Sequence, residues 1–190
     1  MSMLERHKVY ICCSGGIDSS ALIGYYLEQG FEIKALRFNY GHLAYKEEKK
    51  ALDAICRHFN VQTRHARLLP AISKTIAANG ELVGRNALLI LSALAFLQND
   101  SSLISLGLHA DSPYYDCSPA FVDHMQNVLD GYFGGTVLLD IPFLRFRKPD
   151  IIVWCQKNNI PLDLTYSCQK GSMPPCGICS SCLERKLYGL

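Results

Sequence analysis

ICCSGGIDSSAL, residues 11–22, decides the fold. Lys8 to Cys13 is an apolar, partly β-branched run that reads as a strand, and Ser19 to Gln29 reads as a helix stopped at Gly30. The joint between them, Ser14-Gly15-Gly16-Ile17-Asp18-Ser19-Ser20, is a glycine turn at the carboxyl end of a strand. Glycines let the backbone turn several N–H groups toward one point, and the following helix adds its partly positive N-terminus, so an anion fits there. The segment lacks the Gly-Lys-Ser ending of a Walker loop and the G-x-G-x-x-G of a dinucleotide fold. Any strand-to-helix joint can carry glycines. Here Ser14, Ser19 and Ser20 add hydroxyl donors for phosphate oxygens, and Asp18 adds a carboxylate of the kind that helps hold Mg²⁺ beside phosphates.

The same alternation continues along the chain. Phe31 to Phe38 predicts a second strand, Tyr45 to Phe59 an amphipathic helix with a charged face (Lys46 to Lys50), and Val61 to Leu68 a third strand. Ala87 to Leu97 is apolar nearly all round, which predicts a helix packed on both sides, and Leu103 to Leu108 a buried strand. A helix over Ala120 to Tyr132, a strand over Val137 to Ile141 and a helix over Pro149 to Lys157, with proline in its first turn, complete the series. With right-handed crossovers this is an α/β class chain: a doubly wound, mostly parallel five-stranded sheet whose ligands lie beyond the carboxyl ends of the strands.

At 190 residues and 49% hydrophobic, the chain is long enough for one substantial core and too short for two ordinary catalytic domains, so a single domain over 1–190 is expected. The net charge of +2 comes from scattered charges without a dense Lys/Arg block, so nothing calls for nucleic acid. The lead MSMLERHK has no apolar signal core, and residues 87–97 fall far short of the roughly 20 that span a bilayer. A cytoplasmic protein with no membrane partner is expected. In a reducing compartment its nine cysteines point to metal or buried thiols rather than disulfides. Cys12, Cys13, Cys56 and Cys155 lie within strands and helices and read as core.

The tail differs. Cys168, Cys176, Cys179 and Cys182 fall within fifteen residues among glycine, proline and serine, and four soft ligands suit tetrahedral Zn²⁺. The Cys-x-x-Cys-x-x-Cys core could instead ligate an iron–sulfur cluster, while buried structural thiols would want apolar neighbours. A zinc-bound loop and last helix, Leu183 to Tyr188, would form a C-terminal subdomain over residues 165–190.

Ser-Gly-Gly-x-Asp-Ser after the first strand resembles the signature of the PP-loop, or N-type ATP pyrophosphatase, superfamily, whose fold is adenine nucleotide alpha hydrolase-like. Together with the cysteine tail it resembles the 7-cyano-7-deazaguanine synthase (QueC) family. Arg37-Phe38-Asn39-Tyr40-Gly41 is similar to that family's aromatic-Asp/Asn-Tyr-Gly segment, Val83-Gly84-Arg85-Asn86 to its Pro-Gly-Arg-Asn, Tyr115-Asp116-Cys117 to its Pro-Asp-Cys, and Thr165-Tyr166-Ser167-Cys168 to the lead into its metal site. The resemblance implies an ATP-dependent ligase that turns 7-carboxy-7-deazaguanine and ammonia into 7-cyano-7-deazaguanine (preQ0) through adenylated intermediates, in queuosine biosynthesis. It implies ATP at Ser14, Gly15, Gly16, Asp18, Ser19, Ser20 and Arg37, with Mg²⁺ at Asp18.

For the remaining positions two readings stand side by side. Arg85 could meet the substrate carboxylate or a phosphate, while Asn86 could cap the following helix. Lys148 could reach a phosphate or lie solvated beside Arg147, and Asp116 could accept from the deazapurine N–H groups or serve as a turn residue. His109 follows a strand end and could line the pocket, though a lone histidine is more often merely structural. The family commonly continues Gln-Arg-His after its Tyr-Gly; here His42-Leu43-Ala44 makes that patch mostly apolar. Such a mouth is compatible with a second reading, an antiphage-defence enzyme that adenylates the deazaguanine acid and couples it to an amine on a protein or other partner. A third is a nucleotide- or RNA-binding module without chemistry, against which the intact loop argues. Enzymes of this build often pair, which makes a homodimer the candidate assembly.

Overall fold

A computed structural model describes residues 8–68, 82–97 and 102–190. Its sheet has five strands, β1 (Lys8–Cys12), β2 (Glu32–Asn39), β3 (Gln62–Arg67), β4 (Ser102–Leu106) and β5 (Val137–Leu139), in the order β3-β2-β1-β4-β5. Every neighbouring pair is parallel. The chain winds outward from β1 to β3, then returns to lay β4 on the other side of β1, so the reversal point lies between β1 and β4. In open α/β sheets that is where a crevice forms at the strands' carboxyl ends.

Side chains of β1 alternate between two cores, as a strand's period of two requires. Val9, Ile11 and Cys13 pack with Leu22, Ile23 and Tyr26 of α1 (Ile17–Glu28), with Leu52 and Ile55 of α2 (Tyr45–His58), and with Ile151 and Cys155 of α5 (Lys148–Lys157). Tyr10 and Cys12 face the other side, against Ile90 and Ala93 of α3 (Arg85–Ala93) and Phe121, Met125 and Leu129 of α4 (Pro119–Phe133). The four cysteines read as core are buried thiols, and burial pushes Cys12, Cys56 and Cys155 up to about 12.

β4 and β5 each end two residues before the expected Leu108 and Ile141, and three helices depart further from the sequence expectation. The helix predicted over 87–97 ends as α-helix at Ala93 and closes in a 3-10 turn, Leu94–Phe96; only Asn86, Ile90 and Ala93 of α3 are fully buried, and Leu91 is 42% exposed. It covers one face of the sheet and is not packed on both sides. The first helix starts at Ile17, two residues early, which puts Asp18 and Ser19 in its first turn. The last helix, α6 (Ser180–Leu187), starts three residues early, directly after Cys179. Among the described residues no helix is long and apolar enough to cross a membrane.

Candidate functional site

A cleft of about 320 Å³ opens at the reversal point between β1 and β4. The turn after β1 forms its floor. Gly15 N–H donates to Ser19 Oγ at 3.2 Å, Gly16 N–H donates to Ser14 Oγ at 3.2 Å, and the two hydroxyls lie 3.4 Å apart. Serine oxygens thus occupy the place that N–H groups of such a turn offer to phosphate oxygens. Gly15 has φ +84°, and a Cβ there would lie 2.5 Å from the Glu48 carbonyl oxygen and 2.8 Å from Leu52 N, so only glycine lets the turn pack on α2. Ser20 does not reach the cleft: it is fully buried and its hydroxyl donates to Gly16 O at 2.9 Å.

Asp18 projects from the first turn of α1 into the cleft, where both carboxylate oxygens accept from Lys148 Nζ at 2.7 Å. Lys148 is 6% exposed, so the solvated-lysine reading fails. Its place is set by the start of α5, where Asp111 Oδ2 accepts from Lys148 N at 2.7 Å and Asp150 accepts from Arg147 N at 2.9 Å. Those contacts are the acidic caps that a helix N-terminus favours. The Lys148 backbone N–H holds the Asp111 carboxyl below the usual range against partial desolvation, with Arg147 and His109 adding to the effect. Behind Asp18 runs Gly107, where a Cβ would sit 2.6 Å from Asp18 Cβ. Gly107→Ala is therefore expected to push Asp18 off Lys148 and lower both stability and any loop-dependent turnover; an alanine variant with unchanged ATP use would show that this close approach does not position Asp18.

The opposite wall carries Arg37, Tyr40, Glu48, Arg85 and Asn86. Arg37, 3% exposed, donates to Glu48 at 2.5 Å and lies 3.0 Å from His42 Nε2, with Tyr45 stacked under its guanidinium at 5.1 Å. His42 also lies 2.9 Å from Glu48 and stacks on Tyr40 at 4.1 Å. Burial acts against the Glu48 carboxylate, but His42 and Arg37 together hold its pKa below the ordinary value. The expectation of a mostly apolar 42–44 patch is thus corrected. His42 joins a charged network, Ala44 is buried under the cysteine loop, and Leu43 alone is exposed. Glu48, read from sequence as part of a solvated face, turns inward because Arg37 is beneath it.

Asn86 does not cap α3, whose N-cap is Gly84 in the left-handed region. It is buried, and its side-chain amide donates to the Asp116 carbonyl at 2.9 Å. Asp116 faces that junction, its carboxylate accepting from Asn86 N at 3.2 Å, and does not line the cleft. Arg85 does line it and is exposed. His109, which the sequence offered as a pocket-lining residue but weighed as structural, lines the cleft as well. A lone histidine after a strand carries little signal, and the strand end it follows became meaningful only once β4 was seen beside β1.

The third wall comes from the tail. Tyr166 N donates to Gly15 O at 3.0 Å, and Ser167, Gln169, Ser181 and Glu184 reach the cleft, Glu184 lying 3.9 Å from Lys148 Nζ. Arg185 ties α6 to this segment through Thr165 Oγ1 at 2.7 Å. Cys168, Cys176, Cys179 and Cys182 bring their sulfurs within 4.8 Å of one another, and Cys176 Sγ lies 3.9 Å from Cys182 Sγ. Tetrahedral zinc with Zn–S near 2.3 Å sets neighbouring sulfurs about 3.8 Å apart, so the set fits that ion. Backbone N–H groups of Cys176 and Cys179 point at Cys168 Sγ and Cys176 Sγ, both at 3.4 Å. Burial resists ionisation of Cys168, Cys179 and Cys182; hydrogen bonds, led by Cys176 N–H on Cys168, pull Cys168 and Cys179 down, while burial and the neighbouring sulfurs push Cys182 up to about 12.

Comparison with known proteins shows the family and the fold. The family described as "Queuosine biosynthesis protein QueC" matches residues 8–80 and 70–188. The chain is 29% identical over 209 residues to the 7-cyano-7-deazaguanine synthase of Prochlorococcus marinus (strain MIT 9215), covering 96% of this chain and 93% of that protein. It is 30% identical over 207 residues to the enzyme of the same name from Thermoplasma volcanium, covering 94% and 84%. Among solved structures, the NH3-dependent NAD synthetase of Campylobacter jejuni shares the fold with TM-score 0.51 and 17% identity over 98% of this chain and 79% of that one. A predicted subunit of a tRNA methyltransferase from Methanocaldococcus jannaschii does so with TM-score 0.57 and 13% identity over 79% and 74%. The chain belongs to the QueC family of queuosine biosynthesis proteins.

Proposed function

We propose that the chain is a 7-cyano-7-deazaguanine synthase: it uses ATP twice to convert 7-carboxy-7-deazaguanine and ammonia to 7-cyano-7-deazaguanine, releasing AMP and pyrophosphate. The observation that carries this reading is the meeting of Ser14, Gly16 and Ser19 of the turn with Asp18 and Lys148 at one side of a cleft whose other side carries Arg37 and Arg85. A carboxylate is a poor electrophile because its oxygen leaves badly. Transfer of AMP onto that oxygen gives a good leaving group, ammonia then gives an amide, and a second transfer onto the amide oxygen allows loss of AMP to the nitrile.

In this reading the loop N–H groups and the hydroxyls of Ser14 and Ser19 hold the departing pyrophosphate, and the Lys148 ammonium neutralises charge that develops there. Arg85, exposed at the cleft wall, takes the substrate carboxylate, and Arg37 turns to the nucleotide from the second strand. Asp18, a carboxylate aimed into the cleft from the first turn of α1, is the side chain that would hold Mg²⁺ in place of one of its two contacts with Lys148, and the ion would add fixed charge against the phosphates. The four-cysteine set fits Zn²⁺ as a structural ion that fastens the 165–179 segment and α6 against the loop. No protein nucleophile is needed.

Incubation with ATP, Mg²⁺, 7-carboxy-7-deazaguanine and ammonium tests the reading. AMP together with the mass of the nitrile is expected. AMP and activated acid without amide or nitrile would move the acceptor to another amine, as on a protein, and absence of AMP would leave only a binding module.

A further inference from the structure

His109 sits just beyond β4, half-buried in the cleft wall. Its backbone is fixed on both sides: Leu108 N donates to Leu106 O at 2.9 Å, and Ala110 N donates to Phe146 O at 2.8 Å. Two residues earlier Gly107 is pressed against Asp18, so the imidazole rides on the strand end that backs the phosphate loop. Its Nδ1 is buried and has no hydrogen-bond partner. Buried polar atoms are satisfied almost throughout folded proteins, and an orphan in a cleft asks for a partner that arrives with the ligand.

The carboxylates and thiols that line the cleft are otherwise engaged or buried. Asp18 holds Lys148 through both oxygens, and Glu48 holds Arg37 and His42. Burial keeps the thiols of Cys12 and Cys13 protonated, the former pushed up to about 12. Glu184 lies 3.9 Å from the Lys148 ammonium. An imidazole, by contrast, is the side-chain base suited to neutral pH.

We propose that His109 is a catalytic residue, the base that takes up protons shed by nitrogen as the activated acid becomes an amide and the amide a nitrile. This rests on the reaction proposed above. In the first step ammonium gives one proton to His109; the freed pair forms the C–N bond, the C–O pair leaves with AMP, and the second excess proton passes to water. His109 then passes its proton to water; adenylation of the amide oxygen sheds the first amide N–H proton to water, and in the second step the neutral His109 takes the remaining N–H proton of the O-adenylated imidate. The N–H pair becomes the third C–N bond while the C–O pair leaves with AMP. No oxidant or reductant enters either step.

The test compares wild type, His109→Ala and His109→Gln in two assays. The first is acid-dependent exchange of pyrophosphate into ATP without ammonium, which reads adenylation alone. The second is nitrile formation with ammonium, with and without added imidazole. Exchange is expected to stay within about twofold, while nitrile formation falls about 100-fold or more. Added imidazole is expected to restore part of the rate in His109→Ala and none in His109→Gln, where the glutamine fills the space. Nitrile formation at the wild-type rate in both variants overturns the proposal. So does loss of exchange in step with nitrile formation, which would make His109 a structural residue of the loop. Failure of wild type itself to form amide or nitrile would overturn the underlying reaction instead, and is read from the wild-type sample alone.

Discussion

Asp18→Asn is expected to stop AMP release, by about 1000-fold, while the four-cysteine site keeps its metal. The carboxylate is the one group of the turn that both faces the cleft and holds Lys148, with two contacts at 2.7 Å. The substitution also strands a lysine whose side chain is 7% exposed, and breaking such a pair from one side costs about 3 kcal/mol. Loss of activity alone would therefore be ambiguous. The double variant Asp18→Asn/Lys148→Met removes the stranded charge and should recover most of the denaturant midpoint, yet recover no AMP release. Recovered stability with absent turnover places the pair in the chemistry; appreciable AMP release from Asp18→Asn would remove Asp18 from it.

Cys179→Ser is expected to lose bound metal and stability together. Cys179 is the N-cap of α6, which carries Ser181 and Glu184 to the cleft, and the segment before it fastens Gly15 O through Tyr166 N. Structural zinc contributes on the order of 10 kcal/mol in small peptides. Losing ~4 kcal/mol of that, at about 2–4 °C per kcal/mol for a chain of this size, lowers the melting temperature by roughly 10 °C. ATP affinity should weaken in the same variant, because the turn loses its anchor. Metal analysis and a thermal melt check both. Full metal occupancy with unchanged melting would contradict the role given to the cluster.

What the sequence carried was local. The β1-turn-α1 unit follows from an apolar run, a glycine pair and a helix start within a dozen residues, and the cysteine set follows from a spacing of fifteen. What it did not carry was juxtaposition across the chain. Lys148 and Asp18 are 130 residues apart, and nothing local distinguishes a lysine that folds onto a carboxylate from one in solvent. The inward turn of Glu48 depends on Arg37 from the neighbouring strand, so a run of five charged residues looked like one solvated face. For Asp116 the sequence left a substrate contact and a turn role side by side, and only the fold shows its carboxylate accepting from Asn86 N at the start of α3. The all-round apolar 87–97 stretch predicted a doubly covered helix, and the fold covers one side.

In the proposed reaction the loop directs attack on the α-phosphate of ATP, with the substrate's own oxygen as the attacking atom. 7-Carboxy-7-deazaguanine labelled with ¹⁸O at both carboxyl oxygens measures this directly when AMP, pyrophosphate and phosphate are analysed by mass after turnover with unlabelled water and ammonium. Two AMP molecules per nitrile, each carrying one ¹⁸O, with none in pyrophosphate or phosphate, is the predicted result. Label in inorganic phosphate, or unlabelled AMP alongside labelled water, would contradict it.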